Sequence, residues 1–210
     1  MKSYKLNIKV IIASVGILSL AIFSIVLIIF GIAKTQSLGE ILLHYGFIIA
    51  PVSILWVLTD RYLWHTKLFQ SIRKSFNIPP DLRGRWEGTL ENADGSDPQK
   101  FAIEITQTLT TLCVTSFSSI AHSESILCEI ASSNNENKFT LCYLWQGHTN
   151  TSIKDIHQGE QFNGYTMLQL EEHELPRRLI GSYFTNRKPT QTHGGIELKW
   201  MSHSTRGKLE

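Results

Sequence analysis

Long uninterrupted apolar stretches open the chain and short alternating ones fill the rest of it, with the change falling near residue 80. From Val10 to Ala33 no side chain is charged, a run longer than the roughly 20 residues needed to cross a hydrocarbon core. Ile41 to Leu58 reaches about the minimum length, and Trp56, Tyr62 and Trp64 sit near its end, where amphipathic rings favour a membrane interface. Both runs are predicted to be transmembrane helices. The first outruns the 7 to 15 apolar residues of a signal peptide and lacks a small-x-small cleavage site, so it is expected to be retained. Lys2, Lys5 and Lys9 precede it, Arg61, Lys67, Arg73 and Lys74 follow the second run, and the connector KTQSLGE carries one lysine and one glutamate. That distribution predicts both termini on the cytoplasmic side.

After NIPP the period changes to two. Phe101, Ile103 and Ile105 alternate with Ala102, Glu104 and Thr106, and Ile196, Leu198 and Trp200 with Glu197 and Lys199. Such runs recur at about 82–90, 99–107, 110–118, 124–132, 138–146, 162–171, 178–186 and 194–202, separated by turn-rich segments such as ENADGSDP, SSNNEN and KPTQTHGG. Short strands at even spacing predict an eight-stranded up-and-down antiparallel β-barrel, able to hold one small ligand inside; an open sandwich is the alternative. The chain therefore reads as a membrane-anchored all-β protein: a two-helix hairpin over 1–64, a linker over 65–80 and a cytoplasmic domain over 81–210.

In DLRGRWEGTL, a strand places Leu82, Gly84, Trp86, Gly88 and Leu90 on one face and Arg83, Arg85, Glu87 and Thr89 on the other. Trp86 is expected to point inward, between glycines that let the strand bend and leave room for the indole. Gly-x-Trp in a first strand is similar to the lipocalin signature, and the ring either plugs one end of the barrel or touches a ligand.

Chemistry narrows the function by exclusion. Cys113, Cys128 and Cys142 form no Cys-x-x-Cys pair and each sits in a strand-like run, which predicts free, buried thiols and no metal site. The sequon at Asn150 is expected to be silent in a cytoplasmic domain. The formal charge of +2 gives no footprint for binding a DNA or RNA duplex. There is no nucleophile elbow, no His-Glu-x-x-His, no phosphate-binding glycine loop with lysine and no zinc spacing, and EEHE at 171–174 reads as a solvated hairpin end. No enzyme and no cofactor is predicted. A binding site is: Tyr143, Trp145 and His148 near the end of one run, and Tyr183, Thr185, Asn186 and Arg187 near the end of another, collect at a candidate mouth. Aromatic faces stack on nucleobases and a guanidinium presents paired donors to a phosphate. The competing assignment leaves Tyr143 and Trp145 in the core and Arg187 and Lys188 in a soluble turn.

A two-helix N-terminal anchor, DLRGRWEGTL opening a strand-rich domain and IGSYFTNRKPTQTHGGIELKW closing it together resemble the two-transmembrane β-barrel effectors of CBASS, the cyclic-oligonucleotide-based antiphage signalling systems of bacteria. The resemblance spans essentially the full chain and lies in the combination of Gly84-x-Trp86-x-Gly88 with Gly181-x-Tyr183 and Gly195. It implies a barrel receptor for a cyclic dinucleotide made by a neighbouring nucleotidyltransferase, ligand-induced homo-oligomerisation, and disruption of the bacterial inner membrane ending in cell death or growth arrest. Within it, Arg187 is expected against a phosphate, Tyr143, Trp145 and Tyr183 against bases, and Thr185 and Asn186 at base edges or ribose. A membrane-anchored lipocalin-like carrier of an apolar molecule is the alternative function.

Overall fold

The computed structural model describes residues 2–3, 16–17, 19–25, 49–71, 78–132, 138–149, 161–172, 175–187 and 191–209. They fall into two compact units, one of Met1–Tyr4, Pro80–Gln107 and Thr111–Glu210, the other of Lys5–Pro79 with Thr108–Thr110. Asn150, the connector at 34–40 and most of Val10–Ala33 lie outside the described residues, as do Ile41 to residue 48 and 173–174 of EEHE. In the second unit, 16–17, 19–25 and 49–58 are helical, Thr59–Leu63 continues as a wider π-type turn and Lys67–Ser71 is a short helix. Among the described residues no helix is long and apolar enough to cross a membrane. Trp64, expected at a membrane interface, is buried with Ile78 and Leu109 in a small cluster.

The first unit is the β-domain. Its strands are β1 (Gly84–Asn92), β2 (Gln99–Gln107), β3 (Leu112–Ser118), β4 (Ala121–Ser132), β5 (Phe139–Thr149), β6 (Gln161–Glu171), β7 (Arg178–Thr185) and β8 (His193–Ser202). Each pairs antiparallel with the next, and β8 returns to pair with β1. The sheet therefore closes into an eight-stranded up-and-down barrel, and the sandwich alternative falls because both of its edges are paired. A two-residue strand, Lys2–Ser3, lies beside Ser132 and Ala131 of β4.

Two strands are longer than their periodicity suggests. β4 starts at Ala121, because the Ser118 hydroxyl donates to the Ala121 carbonyl and accepts its N–H, both at 3.0 Å, closing a tight hairpin inside SSIAHS. β5 runs on to Thr149 through the polar QGHT, whose backbone stays paired with both β4 and β6.

One end of the barrel is filled. Trp86 is fully buried, as are Leu82, Ile103, Ile105, Leu168 and Leu198 around it, and its Nε1 donates to the Leu82 carbonyl at 2.9 Å. The Arg177 guanidinium stands 5.5 Å from the Trp86 ring and 5.4 Å from that of Trp200, and donates to the Asp81 carbonyl at 2.6 Å. A cation held between two indole faces adds an electrostatic contact to a plug that is otherwise apolar. Gly84 makes this packing possible: its φ is +109°, the pairing to β8 shifts register between Arg85 and Trp86, and a Cβ there would stand 2.2 Å from the Ser202 carbonyl oxygen. The bulge it permits turns the indole into the barrel.

Arg85 is no ordinary outward position, and the expectation of buried thiols needs correction. Arg85 points outward as alternation requires, yet it is 1% exposed, because the tail after β8 closes over it. Its guanidinium donates to Glu87 at 2.5 Å and to Glu104 at 2.7 Å, and the same Glu104 carboxylate accepts the backbone N–H groups of Arg206 at 2.6 Å and Gly207 at 3.1 Å. The cysteines are free but not buried: Cys113 is exposed on the outer wall, and Cys128 and Cys142 are half-buried. Alternation explains it, since Cys113 and Cys142 fall on outward positions flanked by the inward Leu112, Val114, Leu141 and Tyr143.

Burial alone would raise the Glu104 pKa, but the Arg206 N–H, the Arg85 guanidinium and the Gly207 N–H together hold it below the ordinary carboxylate value of 4.5. A depressed folded-state pKa contributes stability at neutral pH that is lost as pH falls through it. Glu104→Gln should cost about 3 kcal/mol in urea unfolding at pH 7, since it leaves Arg85 short of a buried partner. The gap from wild type should narrow at pH 3; an equal gap at both pH values would contradict this assignment.

Candidate functional site

The other end of the barrel, where β1, β3, β5 and β7 finish, is open. Its walls surround a cavity of about 740 Å3 counting the open mouth. β5 supplies Tyr143 and Trp145, β6 supplies Phe162 and Thr166, and β7 supplies Tyr183 and Thr185, with Arg187 just beyond it. The opposite walls are Leu90 and Asn92 of β1, Gln99 and Phe101 of β2, Ser116 and Ser118 of β3, and Ser123 of β4.

The aromatic wall depends on a glycine. Trp145 pairs in register with Gly164 on β6, and a Cβ at Gly164 would stand 2.2 Å from the indole Cζ2. The ring lies over the bare backbone and its Nε1 donates to the Thr166 hydroxyl at 2.9 Å. Phe162 meets Trp145 edge to face at 5.8 Å, and the Arg187 guanidinium lies 5.2 Å from the centre of the Phe162 ring. Guanidinium, phenyl and indole thus form one contiguous group on this wall.

Two phenols stand below the rim. Burial raises the Tyr143 pKa, against the hydrogen bond it makes with Thr166. Burial likewise pushes Tyr183 up to about 12, and its hydroxyl donates to Asn92 Oδ1. Both are neutral at physiological pH and add no negative charge. No aspartate or glutamate occurs among the described lining residues, and Arg187 is the only arginine or lysine there. The site is built for a ligand with flat apolar surfaces and negative charge.

Of the six residues expected to bind, Tyr143, Trp145, Tyr183, Thr185 and Arg187 line this one cavity. Asn186 does not: its side chain accepts the Asn163 N–H at 2.8 Å and its own N–H reaches the Asn163 carbonyl at 2.9 Å, so it is spent on backbone pairing past the end of β7. His148 is exposed on the outer wall, stacked on His122 at 5.7 Å. Residue chemistry missed the wall from β1 to β4. Asn92 sits in a turn-like segment and the serines of β3 and β4 look like solvated polar positions; only their inward phase, two residues from Val114 and from Ser125, could have marked them.

With this geometry in place, comparison with known families is decisive. Residues 77–200 match the family described as Cap15, cyclic dinucleotide receptor domain. The chain belongs to that family. The matched span contains every strand of the barrel except the last two residues of β8, and it is the receptor domain of CBASS effectors, a ligand-binding domain and not a known catalytic fold. Among curated proteins, none matches the chain.

Gly164→Ala should force the Trp145 ring off β6. Overpacking of this kind costs typically 1–3 kcal/mol, to be read as a lower midpoint in thermal unfolding. The near-ultraviolet circular dichroism of the tryptophans should change with it; an unchanged spectrum would mean that the ring does not rest on this glycine.

Proposed function

We propose that the barrel is the sensor of an antiphage effector: it binds a cyclic dinucleotide made by a neighbouring nucleotidyltransferase, the chains then assemble, and the assembled N-terminal helices disrupt the bacterial inner membrane. The observation that carries the reading is the cavity, whose aromatic wall is joined by Arg187 and whose described lining has no carboxylate, in a domain of the cyclic dinucleotide receptor family. Stacking on Trp145 and Phe162 supplies base affinity, roughly 1 to 3 kcal/mol for each base. Arg187 supplies a charge-assisted contact to a phosphate, and Tyr183 and Thr185 supply hydroxyls.

The anchoring half of the proposal rests on the apolar runs Val10–Ala33 and Ile41–Leu58 and on their flanking lysines and arginines, which orient both termini toward the cytoplasm. Assembly is supported by an outer-wall row in which Leu127, Leu144, Tyr165 and Phe184 lie side by side across β4 to β7, with Leu127 67% and Phe184 56% exposed. Apolar faces of this kind mark contact surfaces, and confinement to a membrane raises the effective concentration of weakly contacting copies.

Melting the full chain in detergent with a panel of cyclic dinucleotides tests the reading. A ligand at a hundredfold excess over Kd adds about 2.7 kcal/mol to stability, so one or more members should raise the midpoint by several degrees. Arg187→Ala should abolish most of that rise while leaving the unliganded midpoint near wild type. A panel without effect, together with a shift on adding fatty acids, would replace the sensor with a carrier of apolar molecules.

A further inference from the structure

The cavity holds two pairs of hydroxyls. Ser116 of β3 and Ser123 of β4 face each other in register, both buried, and their Oγ atoms are hydrogen-bonded. Thr185 at the end of β7 and Thr192 just before β8 are bonded Oγ1 to Oγ1 at 2.8 Å, and Thr185 Oγ1 also accepts the N–H groups of Thr192 at 3.2 Å and Arg187 at 3.4 Å. Two hydroxyls carry two protons, and one bond between them uses one. Each pair therefore keeps one O–H for which the described residues offer no acceptor, on a wall that lines the cavity.

The barrel sets these donors opposite one another. Going round the closed sheet, β5 and β6 separate the two pairs on one side, and β1 and β2 on the other. The intervening walls carry rings and aliphatic groups among a few polar ones, Trp145 and Phe162 with Thr166 on one, Leu90 and Phe101 with Asn92 and Gln99 on the other. The Thr185–Thr192 pair also has a basic neighbour among the lining residues, Arg187. The hydroxyl pairs alternate with these walls by quarters.

A cyclic dinucleotide has the same alternation, with two phosphodiesters opposed across its ring and two bases between them. A phosphodiester offers acceptors and no donors, so a surplus O–H is its complement, whereas a base edge presents both. We propose, resting on the sensor reading above, that Ser116–Ser123 and Thr185–Thr192 are the two phosphodiester sites of this cavity, so that the hydroxyls read the ligand's ring and the aromatic walls take its bases. Thr185, expected from sequence at a base edge or ribose, is thereby assigned to a phosphate. The ligand class is a cyclic dinucleotide bound with both phosphates inside the barrel.

Titration calorimetry on the full chain in detergent, with the 3′,5′-linked cyclic dinucleotides of adenine, guanine and uracil, tests this with two double variants, Ser116→Ala with Ser123→Ala and the near-isosteric Thr185→Val with Thr192→Val, because a single substitution would leave the remaining hydroxyl its own free O–H. Each variant should weaken whichever ligands bind wild type by about 10- to 100-fold, as loss of a hydrogen bond to a charged group does, with similar factors for all bases. The factor should shrink for the bis-phosphorothioate analogue, whose sulfur accepts hydrogen bonds poorly. Unliganded melting midpoints near wild type would show that both variants fold; should either fail to, the phosphate and bis-phosphorothioate ligands are compared on wild type, where equal affinities would overturn the proposal. Wild-type affinity retained by both variants would overturn the proposal and leave the sensor intact, as would a loss confined to one base. If no cyclic dinucleotide binds wild type, the sensor reading itself fails and the two phosphodiester sites fall with it.

Discussion

Closure of the sheet is the constraint on which the rest depends. An eight-stranded barrel removes both sheet edges, and its interior is just wide enough either to be filled by side chains or to hold one small molecule. This chain does each at one end. At the start of β1 the bulge at Gly84 admits Trp86, and the interior is packed solid around it. At the other end Gly164 gives up its side chain so that Trp145 can lie flat, and the space inside stays open. A residue with a side chain at Gly164 would displace that ring.

Among the described residues, carboxylates are kept off the cavity wall and gathered outside it. The Arg85, Glu87 and Glu104 group sits on the outer surface of β1 and β2 under the C-terminal tail, and Arg178 pairs with Glu197 across β7 and β8. Because exposed pairs of the second kind contribute little, the buried first group is the one that ties the tail to the barrel. Arg187 has its guanidinium 5.2 Å from the Phe162 ring at the cavity rim. An anion entering there meets a planar cation already oriented by an aromatic face, in a wall where no carboxylate among the described residues competes for it.

Much of the barrel was legible in the sequence because inward and outward positions alternate strictly. The phase of Phe101, Ile103 and Ile105 and of Ile196, Leu198 and Trp200 placed their strands to within a residue or two. Composition misled where a polar stretch remained paired, as at QGHT, or where a serine closed a hairpin, as at Ser118. The site was half legible. Tyr143, Trp145, Tyr183 and Arg187 stand out because aromatic and cationic chemistry is visible residue by residue. The serines opposite them carry no such signal, since a hydroxyl on a strand looks the same whether it faces water or a cavity; only closure of the barrel brings β3 and β4 round to face β7 and β8. Asn186 was misplaced because strand phase persists one residue past the point where β7 ends.

That the barrel holds a cyclic dinucleotide without consuming it is the central claim. Incubating the full chain in detergent with the cyclic dinucleotides it is offered, separating protein from free ligand by gel filtration, and weighing what the denatured protein releases tests it directly. The account predicts one intact cyclic dinucleotide for each barrel. Recovery of no nucleotide, or of a linear dinucleotide heavier by one water, would contradict it.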